Sequence, residues 1–80
     1  MQVTLELARI DVQMRHATLV RWHERVGESF ETGEVLYEIE TEKITQEVAA
    51  TGAGMLRENL VPQGARAEVG RAVCVVEKRR

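Results

Sequence analysis

The chain contains the stretch Val26-Gly27-Glu28-Ser29-Phe30-Glu31-Thr32-Gly33-Glu34-Val35-Leu36. A similar stretch follows 37 residues later and reads Gln63-Gly64-Ala65-Arg66-Ala67-Glu68-Val69-Gly70-Arg71-Ala72-Val73. Both stretches contain two glycines separated by five residues, followed by an apolar run. Unrelated β-hairpins also share glycine-turn-glycine patterns, because glycine adopts positive φ without steric cost. However, the match extends beyond the glycines, since the same offset aligns Leu19 with Leu56. The chain is therefore interpreted as an internal duplication.

The repeated segments are predicted to be strands. Leu19, Trp22 and Val26 have a helical spacing, but the equivalent stretch of the second half runs into Pro62, which would end a helix. β-branched and aromatic residues are concentrated where strands are expected. Strands are predicted at residues 3–7, 18–22, 35–40, 44–49, 54–60 and 73–77, with short pieces near Arg15 and Glu68. Many short strands with frequent turn signals predict an all-β sandwich or flattened barrel whose two halves share one core.

Size and composition limit what the chain can do. Eighty residues make a single domain, 1–80, in which residues 77–80 are interpreted as a tail or linker stub. So small a core leaves little room for a deep active-site cavity, so we expect a non-catalytic domain. A single cysteine cannot form an internal disulfide, and no Cys/His spacing resembles a metal site. Neither a membrane span nor a signal peptide is indicated.

Charge is unevenly distributed along the chain. Residues 24–47 contain eight glutamates and two basic residues, which gives this segment a net charge of −6 within a chain of net charge −2. An acidic surface of this kind repels nucleic acid. We expect it instead to dock on a basic partner surface, an interaction that salt would weaken.

Lys43 is the only lysine between Ala8 and Lys78, and it follows the alternating carboxylates of Glu38, Glu40 and Glu42. The other basic residues of that range are arginines, which stay charged, whereas a lysine amine can be deprotonated and acylated. Residues 41–43 separate two predicted strands and can form only a tight turn. Lys43 is therefore predicted at a hairpin tip, where other enzymes can reach it. For an arbitrary small β domain, such a lysine would be an ordinary solvated turn residue.

A family resemblance favours the interpretation of Lys43 as an attachment site. The chain resembles the lipoyl domains of the acyltransferase components of 2-oxo acid dehydrogenase complexes in its glycine spacing, in the segment Leu36-Tyr37-Glu38-Ile39-Glu40-Thr41-Glu42-Lys43-Ile44, and in Gly52-Ala53-Gly54. In that family the pattern Glu-Thr-Asp-Lys marks the lysine that receives lipoic acid, and here it reads Glu40-Thr41-Glu42-Lys43. The resemblance implies two four-stranded antiparallel sheets related by a pseudo-twofold axis. It also implies that Lys43 lies at one end and the termini at the other.

The resemblance also implies a function. Lipoic acid would be bound covalently on Lys43, while Glu40, Thr41 and Glu42 would shape the turn and serve in recognition. The domain would act as a swinging arm for acyl groups and electrons. Its implied partners are a lipoyl ligase or transferase, the 2-oxo acid dehydrogenase component, the acyltransferase catalytic domain and dihydrolipoamide dehydrogenase. The implied location is the bacterial cytoplasm or the mitochondrial matrix.

Two departures from the family pattern stand out. Ala17 occupies a position where the family commonly has glycine, and its duplicate Gly54 keeps the glycine, so a positive-φ turn near His16 is expected to be altered. Glu42 replaces the commoner aspartate, which keeps the charge but lengthens the side chain. Neither change affects the acceptor amine.

Three alternatives remain open at this stage. A biotinyl carrier domain shares the architecture but usually has Met-Lys-Met at the turn, where this chain has Glu42-Lys43-Ile44. The glycine cleavage H protein also carries lipoyl-lysine but is normally longer. An unmodified β-sandwich interaction module would leave Lys43 as a surface residue. The particular 2-oxo acid is not specified by the sequence.

The remaining candidate residues are interpreted as structural. Trp22 is expected to be core or half-buried packing, and Cys74, in an apolar run, is expected to be a buried small residue. His16 and His23 are expected at the surface or in turns, without a nucleophile-base partner. Ile44 and Val48 are interpreted as packing residues.

Overall fold

Eight antiparallel strands form two four-stranded sheets in the computed structural model, which describes residues 1–79. In chain order the strands are β1 (Gln2–Glu6), β2 (His16–Trp22), β3 (Ser29–Phe30), β4 (Val35–Glu40), β5 (Thr45–Ala49), β6 (Gly54–Asn59), β7 (Arg66–Glu68) and β8 (Ala72–Lys78). One sheet has the order β1-β8-β6-β3 and the other β5-β4-β2-β7. The architecture confirms the expected all-β class. It is an unclosed, flattened sandwich, since no strand pairing joins the two sheets within residues 1–79.

The internal duplication is visible in the hydrogen-bond register. In the β2–β4 ladder Leu19 faces Ile39, and 37 residues later in the β6–β8 ladder Leu56 faces Val76. The bulges also repeat, since the register shifts between Leu19 and Arg21 in one ladder and between Leu56 and Glu58 in the other. The two sheets are therefore equivalent, and each takes one short edge strand from the other repeat, since β3 pairs with β6 and β7 pairs with β2. This confirms the predicted repeat and the pseudo-twofold arrangement.

The repeat explains why the first strand is needed. β4 pairs with β5, which follows it through a hairpin, whereas β8 is the last strand and pairs with β1 from the start of the chain. The register is the same in both cases, because Glu40 faces Thr45 where its counterpart Glu77 faces Gln2. The chain ends thus occupy, in one sheet, the position that the β4–β5 hairpin occupies in the other.

The turn geometry that repeats in the two halves of the chain depends on four glycines. Gly27, Gly33, Gly64 and Gly70 have φ angles of 95°, 89°, 90° and 90°, and no other residue of 1–79 adopts positive φ. An L-residue at these angles would bring its Cβ against the backbone, so the predicted Gly-x5-Gly loops depend on glycine.

The sandwich interior is entirely apolar within residues 1–79. Its side chains come from both sheets and from the loops that cover the ends of the sandwich: Leu7, Met14, Ala17, Leu19, Phe30, Leu36, Tyr37, Ile39, Ala50, Leu56, Val61, Ala67, Val73, Cys74 and Val76. Repeat-related positions have different volumes, because Phe30 corresponds to Ala67 and Tyr37 to Cys74. The two halves therefore complement each other in one core instead of packing as identical layers.

The expected strand positions are largely confirmed, with three corrections. β3 was not predicted, because only two residues of the Gly-x5-Gly loop pair with β6. The short piece near Glu68 is β7, whereas the one near Arg15 is only the approach to β2, which begins at His16. Glu77 and Lys78, interpreted as part of a tail, belong to β8. Arg79 donates its backbone N–H to Ala53, and Arg80 lies outside the described residues.

The prediction of an altered positive-φ turn near His16 is wrong. Ala17 lies within β2 and pairs with Ala67, and neither Ala17 nor Gly54 has a positive φ. At Gly54 glycine is needed for a close approach instead, because a Cβ there would lie 2.5 Å from the carbonyl oxygen of Glu77. The same Cβ would lie 3.2 Å from the ring of Phe30, Gly54's partner in the ladder.

Candidate functional site

The β4–β5 connection is a tight turn whose two ends pair with each other through backbone hydrogen bonds. Glu40 and Thr45 form the last pair of the ladder. Beyond them the Thr41 N–H donates to the Ile44 carbonyl at 2.8 Å, which leaves Glu42 and Lys43 at the tip. The hairpin predicted from residues 41–43 is confirmed, although β5 begins at Thr45 and not at residue 44.

The Thr41 hydroxyl organises this turn. Its oxygen accepts the backbone N–H groups of Lys43 at 3.3 Å and Ile44 at 3.2 Å, a pattern in which a side-chain oxygen replaces a backbone carbonyl. The turn therefore forms without a glycine, since none of its residues has a positive φ. Thr41 is half-buried, whereas the two residues of the tip are exposed.

The Lys43 side chain is exposed and reaches toward the loop that connects β1 and β2. Its Nζ donates a hydrogen bond of 2.8 Å to Oε1 of Gln13. Hairpin and loop enclose a shallow cleft of about 160 Å³, lined by Asp11, Gln13, Met14, Arg15, His16, Thr41, Glu42 and Lys43. Gln13 was not identified from the sequence, because it lies 30 residues from Lys43 and outside the repeated pattern.

Glu40 and Glu42 flank the tip as exposed carboxylates. Within residues 1–79 neither forms an ion pair, and Lys43 forms none either. The amine is thus held by one neutral amide, is not paired with a carboxylate and remains exposed. The structure therefore places all four predicted residues, 40–43, at one exposed end of β4.

The chain ends lie at the opposite end of the sandwich. Arg79 contacts Ala53 through its backbone and Glu31 through its guanidinium at 2.9 Å. These partners belong to the loops next to the start of β4, where Gly33 donates to the carbonyl of Ala50. Met1 is at the same end, because its carbonyl accepts the N–H of Lys78. Lys43, beyond the far end of β4, is therefore remote from Met1 and Arg79.

Trp22 and Cys74 occupy the places expected of structural residues. Trp22 is half-buried, donates its indole N–H to the Val61 carbonyl at 3.0 Å and packs against Tyr37 with ring centroids 5.1 Å apart. Burial raises the pKa of the Tyr37 hydroxyl to about 12.

Cys74 has no exposed surface, and burial raises the pKa of its thiol to about 11. Because the thiolate is the reactive form, this thiol is inert at neutral pH. The interpretation of Cys74 as a buried small residue is confirmed.

Val48 and Ile44, both interpreted as packing residues, differ in their burial. Val48 is half-buried and packs against the core. Ile44 is 41% exposed, which corrects its interpretation as a packing residue.

No helix in the described part of the chain could span a membrane.

Comparison with known proteins gives a consistent family. The biotin/lipoyl family model, described as biotin-requiring enzyme, matches residues 3–76. A dihydrolipoyllysine-residue succinyltransferase component of the 2-oxoglutarate dehydrogenase complex of Staphylococcus saprophyticus is 42% identical over 59 residues, which are 74% of this chain and 14% of that protein. A dihydrolipoyllysine-residue acetyltransferase component of the pyruvate dehydrogenase complex of Rickettsia bellii is 38% identical over 64 residues, which are 80% of this chain and 15% of that protein. The chain thus spans about one-seventh of the length of these relatives.

Solved structures give the same fold. The lipoyl domain of the 2-oxoglutarate dehydrogenase complex from Azotobacter vinelandii superposes with a TM-score of 0.78 at 23% identity, over 92% of this chain and 94% of that one. A single-chain, multi-domain long-chain acyl-CoA carboxylase superposes with a TM-score of 0.81 at 20% identity, over 99% of this chain and 7% of that one. With the family model covering nearly all of the sequence, the chain belongs to the biotin/lipoyl attachment family.

Proposed function

We propose that this chain is a lipoyl carrier domain whose Lys43 holds lipoic acid in amide linkage. The observation that carries the proposal is the position of Lys43: an exposed amine at the tip of a rigid hairpin, on the end of the sandwich opposite the termini. The relatives with the highest identities quoted above are dihydrolipoyllysine-residue acyltransferase components of 2-oxo acid dehydrogenase complexes. The Lys43 amine has no ion-pair partner within residues 1–79, so it is available to form an amide bond with a carboxylic acid.

The turn residues have separate roles in this proposal. Thr41 fixes the backbone by accepting the N–H groups of Lys43 and Ile44, so that the amine is presented in one orientation. Glu40 and Glu42, exposed and unpaired within residues 1–79, mark the turn for the ligase and for partner enzymes. Modification would remove the charge of Lys43 and replace its contact with Gln13.

Lipoic acid supplies a dithiolane that accepts an acyl group and electrons and is reoxidised by thiol-disulfide exchange. The protein contributes by positioning the attachment point. Its strands hold the attachment point at one end of a body whose longest dimension is 35 Å, while the sandwich keeps its own thiol, Cys74, buried and protonated. A tethered intermediate reaches successive active sites at a high effective concentration.

The partners follow from this role. A lipoyl ligase or transferase would modify Lys43, and a 2-oxo acid dehydrogenase component would then acylate the arm. An acyltransferase catalytic domain would accept the acyl group, and dihydrolipoamide dehydrogenase would reoxidise the dithiol. The acidic segment 24–47, with its net charge of −6, is the surface we assign to the dehydrogenase component.

A biotinyl carrier is the second candidate. It is supported by the family model, which covers both kinds of attachment, and by the superposition on the acyl-CoA carboxylase. The turn sequence Glu42-Lys43-Ile44 favours the lipoyl assignment, because biotinyl domains usually have methionine on both sides of the lysine.

Intact mass spectrometry after separate co-expression with a lipoyl ligase and with a biotin ligase distinguishes the candidates. We expect a lipoyl-sized mass increase with the first enzyme and none with the second. Lys43→Arg should abolish the increase because arginine keeps the charge but cannot be acylated in this way. Lys78→Arg, which changes the other lysine of the chain, is the matched control and should be modified normally. A biotin-sized increase would support the second candidate, and no increase with either ligase would refute both.

A further inference from the structure

Three side chains on neighbouring strands converge on the surface of the β5-β4-β2-β7 sheet, away from the hairpin tip. They are His23, which directly follows β2, Glu38 in β4 and Glu47 in β5. One nitrogen or oxygen atom from each lies within 4.8 Å of the other two. We propose that these residues, defined here as the His23 cluster, bind a divalent transition-metal ion, with Zn²⁺ as the best fit.

Two members of the cluster lie on strands, and the third directly follows a strand. Glu38 and Glu47 are direct partners in the β4–β5 ladder. His23 continues the neighbouring ladder by donating its backbone N–H to the Leu36 carbonyl at 2.8 Å. The His23 and Glu38 side chains are 28% and 21% exposed, so they are partly ordered by their surroundings while an ion can still reach them. Ligands on strands are positioned more accurately than ligands on loops.

The charges of the cluster favour a cation. Like charges directly opposite each other on antiparallel strands are destabilising, and Glu38 and Glu47 are such a pair. Within residues 1–79 no arginine or lysine forms an ion pair with either carboxylate. The only partner is the His23 imidazole, whose Nε2 lies 2.5 Å from Oε2 of Glu38. A divalent ion between the three groups would neutralise both carboxylates at once.

The donor set indicates the kind of metal. One imidazole nitrogen and two carboxylate oxygens suit Zn²⁺ and its first-row neighbours, whereas Mg²⁺ and Ca²⁺ prefer oxygen ligands alone. In a tetrahedral zinc site the ligand atoms lie about 3.4 Å apart, given metal–ligand distances of about 2.1 Å. To hold such an ion, Nε2 of His23 and Oε2 of Glu38, now 2.5 Å apart, would have to separate to that value. Glu47, whose carboxylate lies within 4.8 Å of both, would supply the third ligand and water the fourth. Such an ion would join β2, β4 and β5 from outside the core.

Zinc titration of the full chain tests the site. The chain is used without a histidine tag and with Lys43→Arg, because a dithiol on Lys43 would itself bind zinc. Isothermal titration calorimetry should give one Zn²⁺ per chain, and zinc should raise the thermal unfolding midpoint, because a ligand that binds the folded state stabilises it. Mg²⁺ at the same concentration should do neither.

Two variants and one control locate the ion. His23→Gln and Glu47→Gln should each weaken zinc binding at least about tenfold and remove the rise in unfolding midpoint. His16→Gln, which changes the other histidine and leaves the cluster intact, should bind like the parent. The proposal is refuted if no zinc binds, if His23→Gln binds as tightly as the parent, or if His16→Gln loses as much affinity as His23→Gln. Because the modification of Lys43 is excluded from the experiment, its outcome is independent of the lipoyl assignment.

Discussion

At the scale of single residues, the hairpin turn combines two roles in residues two positions apart. Thr41 determines the backbone path, and Lys43 supplies the amine that the path exposes. The sequence pattern placed Lys43 in a short turn, and the family resemblance assigned Thr41 to shaping that turn. The sequence did not identify Gln13, whose contact with Lys43 depends on the course of the β1–β2 loop. It also did not identify the His23 cluster, because the spacing of residues along the chain does not reveal which side chains meet across strands.

Thr41→Ala tests the role of the threonine hydroxyl. Without it the N–H groups of Lys43 and Ile44 lose their acceptor, so we expect a loss of about 0.5–1.5 kcal/mol in the free energy of unfolding, measured by urea denaturation. Modification of Lys43 by the ligase should also slow, because the tip is no longer held in one conformation. Thr41→Ser keeps the hydroxyl and is the control. If the alanine and serine variants were equally stable and equally modified, the hydroxyl would have no such role.

At the scale of strands and turns, register and glycine geometry decide the fold. The 37-residue offset seen in the sequence recurs residue by residue in the ladders, for example in the pairs Glu40 with Thr45 and Glu77 with Gln2. Most strands could therefore be predicted. β3 could not, because two paired residues inside a loop leave no alternating pattern. The role of Gly54 also escaped prediction, since a close approach between neighbouring strands leaves no mark on local sequence.

Gly54→Ala tests the close approach between β6 and β8. The added Cβ would lie 2.5 Å from the Glu77 carbonyl oxygen, which is backbone and cannot rotate away, so the strands must separate. We expect a loss of about 1–3 kcal/mol in the free energy of unfolding, the usual cost of overpacking. Gly52→Ala is the matched control, because nothing lies within 4 Å of its Cβ position and its φ is not positive. Equal urea midpoints for the two variants would contradict this account of Gly54.

At the scale of the whole molecule, the duplication produces a symmetric body with one functional end. The position that carries the Lys43 hairpin in one sheet is occupied in the other by the paired chain ends, so only one of the two copies has a tip. The acidic residues of segment 24–47 are spread over both sheets, since Glu28 and Glu31 flank β3, which pairs with β6. The fold could be predicted because it depends on the repeated local pattern, whereas Lys43 as the attachment residue stays a prediction that rests on the family resemblance. The choice of 2-oxo acid could not be predicted, because it depends on the surface of a partner.

The acidic segment predicts a salt-sensitive complex with the dehydrogenase component. Raising the ionic strength from about 0.01 to 0.15 M shortens the screening length from about 30 to 8 Å, so an interaction steered by a net charge of −6 should weaken several-fold, mainly in its association rate. Surface plasmon resonance at the two salt concentrations measures this effect. A Glu40→Gln/Glu42→Gln variant, which removes two exposed carboxylates that form no ion pair within residues 1–79, should bind more weakly at low salt and show a smaller salt dependence. An affinity that does not change with salt would exclude electrostatic docking.

Reductive acylation of the lipoylated chain tests the central claim most directly. The chain would be incubated with a purified 2-oxo acid dehydrogenase component and its substrate, separately for pyruvate and 2-oxoglutarate, and followed by intact mass. The account predicts that at least one of them adds its acyl group to the lipoylated chain and that peptide mapping places the acylated arm on Lys43. The Lys43→Arg chain, which cannot be lipoylated, should gain no mass. A lipoylated chain that none of these components acylates, or acylation that persists in Lys43→Arg, would contradict the account.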